Sequence, residues 1–232
     1  MQFLRADDHH LDSCWMTWNS PATRLKFTTI PMIHVADPSY YERVMTDLAR
    51  CRYALVEGVS WRLGDEKHPL YDLCARNLGL VAQERALKLP PGVAKINIDM
   101  KRSEFRERLF ALPWRWVLAV VLLRRILWLL TLPKAWRPEA MRMILRTRKR
   151  SERAATPMGR LILTGRDRRI VENLEAFHRE RGPIAEPQYA AIVFGAAHMP
   201  AICEALGRLG FQPGSRRWVE VLRVPAEGRA RA

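Results

Sequence analysis

Short apolar runs alternate with amphipathic segments along most of the chain. The apolar runs are rich in β-branched residues and bounded by turn residues, which is typical of strands buried on both faces of a sheet. They predict strands at Phe27–Ile33, Tyr53–Glu57, Ala94–Asp99 and Ala190–Phe194. The segments between them repeat apolar residues at helical spacing and predict helices at Ser39–Arg52, Pro69–Leu80, Val81–Leu87, Gly165–Arg181 and Ile202–Leu209, with a further helix capped by Ser103. This alternation predicts an α/β fold with a mostly parallel central sheet flanked by helices.

Both ends of the chain carry segments in which polar and apolar residues alternate, as in strands with one exposed face. Trp15–Trp18 and Arg24–Phe27 flank a turn at Asn19-Ser20-Pro21 and predict a hairpin that leads into the first buried strand. Trp218–Val224 predicts a final strand at the edge of the sheet. With a length of 232 residues, the chain is expected to form one domain spanning residues 1–232.

Residues 105–150 depart from this pattern. Leu109–Leu132 is strongly apolar but contains three arginines, and Pro133–Arg150 is dense in arginine. A membrane-spanning helix needs about 20 mostly uncharged residues, so we interpret residues 105–150 as a basic, apolar helical insertion within the domain. Four roles remain open for it: packing on the domain, contact in a homo-oligomer, contact with an anionic membrane surface through residues 109–150, and a membrane span.

The net charge of +15 widens the range of partners, since a basic surface attracts anionic membranes, nucleic acid and acidic substrates. Nucleic acid is not favoured, because no nucleic-acid-binding motif accompanies the charge. The four cysteines lack CxxC spacing and predict reduced, mostly buried thiols. The N-terminus lacks the apolar segment of a secretory signal. We therefore expect a cytoplasmic protein, and a peripheral membrane location remains open.

Residues suited to chemistry follow the predicted strands. His34, Glu57, Asp99 and His198 each stand at or just after a carboxyl end, and parallel strands would bring them to one edge of the sheet. Two imidazoles with carboxylates suit a divalent transition metal, which would lower the pKa of a bound water. A metal-free alternative uses His34 and Glu57 as a base and its orienting group.

Two further residues complete the predicted site. Gly195, directly after a buried strand, would allow a close approach of the backbone. Arg166 opens the helix before the last buried strand and could clamp a substrate carboxylate, although a solvated or structurally paired arginine is the alternative.

Three blocks of the sequence resemble the TraB/GumN/PrgY family, which is related to the Tiki metalloproteases and more distantly to ChaN-like and erythromycin-esterase-like proteins. The blocks are Ile30-Pro31-Met32-Ile33-His34-Val35-Ala36, Tyr53-Ala54-Leu55-Val56-Glu57-Gly58-Val59 and Val193-Phe194-Gly195-Ala196-Ala197-His198-Met199. The family pattern has two GxxH motifs with a glutamate strand end between them. The second motif is intact here, whereas Pro31 replaces the glycine of the first and Gly58-Val59 replaces the Leu-Asp that often follows the glutamate.

The resemblance implies metal-dependent hydrolysis, most directly of peptides, with Mn, Co or Zn as the divalent metal ion. It implies His34 and His198 as metal ligands and Glu57 as a ligand or general base. Asp99 would then be a further ligand or a carboxylate that supports the ligands from outside, and Arg166 would orient a peptide or other small substrate. The rival hypothesis is a non-catalytic regulatory or binding protein at the membrane surface, built on the same scaffold.

Overall fold

The computed structural model describes residues 1–7, 9–57, 69–111, 159–182 and 186–223, together with Trp114 and Leu122. The strands are β1 Leu4–Ala6, β2 His10–Asn19, β3 Leu25–Met32, β4 Val35–Ala36, β5 Tyr53–Val56, β6 Val81–Ala82, β7 Ala94–Asn97, β8 Gln188–Gly195 and β9 Gln212–Arg223. The helices are α1 Pro38–Leu48, α2 Pro69–Leu78, α3 Gln83–Ala86, α4 Arg102–Phe110, α5 Arg166–Arg181 and α6 Met199–Arg208. A π-helical segment, Arg160–Gly165, leads directly into α5.

Seven strands of the described residues form one sheet, in which β3–β8–β5–β7 is a parallel set that ends at the edge strand β7. The antiparallel hairpin of β2 and β3 extends this set, and β9 pairs with the outer edge of β2 as an edge strand. β1 pairs with the opposite edge of β2, beside β3. The predicted α/β fold, with a largely parallel central sheet and flanking helices, is confirmed.

The register of the parallel strands aligns their carboxyl ends. Met32 of β3 lies opposite Gly195 of β8, and Val56 of β5 lies opposite both Val193 of β8 and Asn97 of β7. Residues that follow these strands therefore leave the sheet along one edge, which we call the carboxyl edge.

Helices cover both faces of the sheet because alternate strand residues point to opposite faces. Ala54 and Val193 belong to the core cluster that includes α1, whereas Leu55 and Ile192 belong to the cluster that includes α5 and α6. Full burial of a large apolar side chain stabilises the fold by about 1.5–3 kcal/mol. These two apolar layers hold the helices, and so their terminal residues, against the strands.

The predicted helix at Val81–Leu87 is wrong. Val81 and Ala82 instead pair antiparallel with Ala36 and Val35 in a separate two-stranded sheet, and the helical turn that follows covers only Gln83–Ala86. Gly79 explains the break, since its φ of +70° ends α2 in the left-handed conformation that favours glycine. α6 also begins earlier than predicted, at Met199.

Most of the insertion predicted at residues 105–150 lies outside the described residues, so its role stays a prediction. The described part comprises the end of α4, Ala111, Trp114 and Leu122. Within the described residues, no helix combines the length and apolar character that a membrane crossing requires. Three of the cysteines, Cys14, Cys51 and Cys203, are free thiols.

Pro31 lies in β3, between two neighbouring strands, although proline cannot donate a ladder hydrogen bond. The pairing of β2 with β3 ends at Met16 and Thr29, before it reaches Pro31. Buried side chains replace the ladder there, because the Pro31 carbonyl accepts hydrogen bonds from Ser13 Oγ at 2.8 Å and the Tyr40 hydroxyl at 2.7 Å. Burial raises the pKa of Tyr40 to about 12, so this hydroxyl stays protonated. The strand can therefore carry a proline where the resembled family has glycine.

Because both hydrogen bonds end on the Pro31 carbonyl, we expect that removing their two donors has non-additive effects on the free energy of unfolding. Ser13→Ala and Tyr40→Phe should each lower the free energy of unfolding by about 1 kcal/mol, since each leaves the carbonyl one partner. The double variant should lose more than the sum, because a buried carbonyl without a partner costs about 1–3 kcal/mol. Urea unfolding measures all three, and Tyr189→Phe, which removes an exposed hydroxyl, is the matched control. Additive losses would contradict this role of the shared carbonyl.

Candidate functional site

The structure places Glu57 directly after β5, Asp99 two residues after β7, and His198 at the N-cap position of α6, beyond β8. His34 lies between β3 and β4. All four residues predicted from the sequence therefore follow strands at the carboxyl edge. Their surroundings differ, since Asp99 and His198 are buried whereas His34 is exposed.

Arg166, the first residue of α5, connects the two strand-end carboxylates. Its guanidinium donates from Nε to Asp99 Oδ1 at 3.0 Å, and from Nη2 to Asp99 Oδ2 and Glu57 Oε1, each at 2.5 Å. The Arg166 side chain is only 2% exposed and that of Glu57 is 14% exposed. The structure thus pairs this arginine with the protein's own carboxylates, and binding of a substrate by Arg166 stays a prediction.

The same ion pairs determine the charge state of Glu57. Burial alone would raise the pKa of Glu57, but the charge of Arg166, with contributions from His34 and His198, lowers it below its ordinary value of 4.5. Burial likewise opposes the charge of Arg166, yet the bonds and charges of Asp99 and Glu57 raise the pKa of that guanidinium. Glu57 is therefore ionised at neutral pH, and both imidazoles are close enough to influence it.

His198 is held by a carboxylate that the sequence analysis did not select. Its Nδ1 lies 2.6 Å from Asp167 Oδ1, and the ring packs edge-on against Phe194 with centroids 6.2 Å apart. An ionised carboxylate only accepts hydrogen bonds, so Nδ1 carries the proton and Nε2 of a neutral ring is unprotonated. Among the described residues, the bond to Asp167 is the only hydrogen bond of the ring. Nε2 is consequently the ring atom available to a ligand or a proton.

The start of α5 supplies both connections, because Arg166 and Asp167 are consecutive. Arg166 binds Glu57 and Asp99, and Asp167 binds His198. The π-helical segment Arg160–Gly165 immediately precedes this pair, and such segments occur frequently at functional sites. The signal for Asp167 in the sequence was its position beside Arg166, but only the packing of α5 reveals its partner.

The backbone of Gly195 lies against Glu57. Its N–H donates to Glu57 Oε2 at 3.2 Å. A Cβ at this position would stand 3.4 Å from the same oxygen and 3.8 Å from His198 Cδ2. These are ordinary van der Waals distances, so the Gly195 N–H, and not the absence of a side chain, is what holds Glu57 at the end of β8.

His34 occupies the more open side of the carboxyl edge. Its ring stacks on Tyr71 of α2, with centroids 4.8 Å apart and planes 19° apart, and its carbonyl accepts a hydrogen bond from Gln83 N–H at 2.8 Å. Within the described residues, His34 makes no hydrogen bond to Glu57. The histidine–carboxylate pair of this site is formed by His198 and Asp167, whereas the metal-free alternative used His34 and Glu57.

The donor atoms fit a metal only in part. Both oxygens of Asp99 bind Arg166, and the two oxygens of Glu57 bind Arg166 and the Gly195 N–H. The described part of the chain contains no group of three or more His, Cys, Asp or Glu side chains positioned to hold a metal ion. In contrast, an imidazole whose other nitrogen binds a carboxylate, as in His198, is the usual form of a metal-ligating histidine. The metal site therefore stays a prediction.

Comparisons of the chain with protein-family models, curated proteins and solved structures found no match. The relationship to the TraB/GumN/PrgY family accordingly stays a prediction that rests on three short sequence blocks.

Because the ion pairs of Arg166 are buried, we expect that substituting Arg166 lowers the free energy of unfolding by an amount that depends on pH. Arg166→Met removes the guanidinium that pairs with the buried Glu57 and Asp99, which should lower the free energy of unfolding at pH 7 by about 3–5 kcal/mol. Glu57 has a lowered pKa in the parent, so its stabilising contribution is present above pH 4.5 and is lost as the pH falls through the lower folded value. The difference between variant and parent should therefore shrink below pH 4.5, where protonation relieves the unpaired charge.

Arg169→Met is the matched control, because Arg169 lies on the same helix but pairs with Glu104 and Glu172 at the surface. Denaturant unfolding of this variant should show a loss of less than about 1 kcal/mol. An Arg166→Met variant whose loss equals that of the control, or does not vary with pH, would contradict the role of the buried pairs.

Proposed function

We propose that this protein is a hydrolase whose reaction takes place at the carboxyl edge, with His198 as the general base. The observation that supports the proposal best is the bond between His198 and Asp167 at 2.6 Å, beside the ionised Glu57. A buried imidazole oriented by a carboxylate, with one nitrogen unprotonated, is the arrangement of a general base. The resemblance described above adds peptides as the proposed substrates.

In the proposed reaction, a water molecule donates a hydrogen bond to Nε2 of His198. As the water oxygen attacks the carbonyl carbon of the substrate, its proton passes to Nε2 and the ring becomes an imidazolium. The Asp167 carboxylate stabilises that charge through Nδ1–H. Nε2 then returns the proton to the leaving nitrogen, so the C–N bond breaks and the products are a carboxylic acid and an amine.

Glu57 is better suited to act as a permanently ionised carboxylate than as a group that takes up and releases a proton. A general base works best when its pKa is close to the working pH, whereas the pKa of Glu57 is lowered. Arg166 and the Gly195 N–H hold one oxygen each, so the carboxylate has a defined position beside His198. In the proposed site, Glu57 thus stabilises positive charge that develops on the imidazole.

A divalent metal remains part of the proposal, as the resemblance implies. The donors that would hold it are Nε2 of His198, the ring of His34 and a remaining lone pair of Glu57. A metal-bound Nε2 cannot accept a proton, so this metal form is an alternative to His198 as the general base and does not act together with it. Such an ion would polarise the substrate carbonyl and lower the pKa of the water. Asp99 would then act indirectly, because it holds the Arg166 guanidinium that positions Glu57.

Substitution of the histidine–carboxylate pair should abolish hydrolysis without unfolding the protein. Asp167→Asn should lower kcat/KM on a fluorogenic peptide pool by about 10²–10⁴-fold, because the imidazolium loses its stabilising carboxylate. His198→Ala should lower it at least as much. The control is His10→Ala, which removes an imidazole from the start of β2, and it should stay within about twofold of the parent.

Circular dichroism and thermal unfolding establish that each variant is folded before its activity is compared. An active parent whose His198→Ala variant keeps its rate would disprove the assignment of the base. A parent that hydrolyses no peptide, with or without added Mn, Co or Zn, would disprove the proposed function.

Metal analysis tests the metal part separately. The parent, purified under metal-replete conditions, should retain a stoichiometric amount of Mn, Co or Zn, and the His34→Ala, His198→Ala double variant should retain none. If the double variant retained a full equivalent of metal, or if the parent retained none, a metal site at these histidines would be ruled out. The Asp167→Asn result would then still decide whether His198 acts as a metal-free base.

A further inference from the structure

A cavity lies on the α1 face of the sheet, away from the carboxyl edge. It has a volume of about 700 Å³, and Ile30, Ala191 and Trp15 are among the residues that line it. α1 ends at Leu48, and residues at and just beyond this end, Asp47, Arg50 and Cys51, line one side of the cavity. The cavity lining contains none of the residues of the candidate site. This cleft is therefore a separate feature of the fold.

The rim of the cleft is basic. The cleft is lined by three arginines and one acidic residue, so these four side chains carry a net charge of +2. They are Arg50, Arg216, Arg217 and Asp47. Arg217 stacks over the Trp15 ring at 4.5 Å and pairs with Asp47. Arg50 is exposed and makes no ion pair within the described residues. Arg216 is likewise exposed and makes no ion pair within the described residues, so two arginines at the rim are available to an anion.

The other groups at the rim do not oppose an anion strongly. The last carbonyls of α1 carry partial negative charge, but they already accept hydrogen bonds from backbone N–H groups. Ala49 N–H donates to the Met45 carbonyl, Arg50 N–H to that of Asp47, and Cys51 N–H to that of Leu48. Burial raises the pKa of the Cys51 thiol to about 11, so that side chain stays neutral. The positive charge of Arg50 is therefore not offset locally by a second carboxylate or a thiolate.

We propose that this cleft binds a small organic carboxylate, with its apolar body against the exposed Tyr189 ring and its carboxylate on Arg50. The volume falls within the range of small-molecule sites, which are mostly apolar with a few well-placed polar groups. A guanidinium is the side chain best matched to a carboxylate, because it donates two parallel hydrogen bonds. The cleft thus selects an amphiphilic anion over a neutral molecule of the same shape.

Two probes of matched shape test the proposal by isothermal titration calorimetry. 4-Phenylbutyrate should bind at the cleft, and 4-phenylbutan-1-ol, which has the same apolar body without the charge, should bind about tenfold more weakly. Arg50→Glu should weaken phenylbutyrate binding by about tenfold or more and leave the alcohol unchanged. Arg50 lies beyond the last turn of α1 and is exposed, so the variant should keep the melting temperature of the parent.

Arg43→Glu is the matched control, since it makes the same charge change on an exposed position of α1 that does not line the cleft. It should alter phenylbutyrate affinity by less than about twofold. His198→Ala should also leave that affinity unchanged, which separates this site from the proposed hydrolase site. Any of four results would overturn the proposal. Phenylbutyrate could fail to bind, or both probes could bind equally well. The two charge reversals, Arg50→Glu and Arg43→Glu, could have equal effects, or the His198→Ala variant could lose phenylbutyrate binding.

Discussion

The guanidinium of Arg166 lies in the protein interior, where its charge is stable because Asp99 and Glu57 accept its hydrogen bonds. Moving an ion of this size out of water costs several kcal/mol, and geometry must recover that cost. The three partners come from β5, β7 and α5, so compensation requires the start of α5 to lie against the ends of both strands. This requirement also brings Asp167, the next residue, to His198. One electrostatic constraint thus positions Glu57, Asp99 and His198 together.

The parallel sheet makes that constraint attainable. Residues far apart in sequence reach one edge because β3, β8, β5 and β7 run in the same direction and in register. Apolar packing of α5 against the sheet through Ile170, Leu174 and Phe177 then holds the helix in place. Burial of these side chains supplies the larger share of the stability, and the ion pairs select one position of the helix start among those that packing alone would allow.

The sheet and the strand-end residues could be predicted from the sequence because apolar runs and their ends are local signals. The partners of Arg166 could not, since nothing local specifies which carboxylates meet the first turn of a helix that lies more than a hundred residues from Glu57 along the chain. Asp167 was missed for the same reason. β4 and β6 were missed because strands of two residues are too short for any periodicity to appear.

The candidate site carries a charge opposite to that of the whole chain. Glu57, Asp99 and Asp167 are acidic there and Arg166 is basic, whereas the chain has a net charge of +15. Screening confines exposed charges to a range of about 8 Å at physiological ionic strength, so remote surface arginines contribute little to the potential at His198. In the proposed reaction, positive charge develops on that imidazole, and the neighbouring carboxylates stabilise it. The local acids, and not the basic composition, therefore determine which chemistry this edge of the sheet can support.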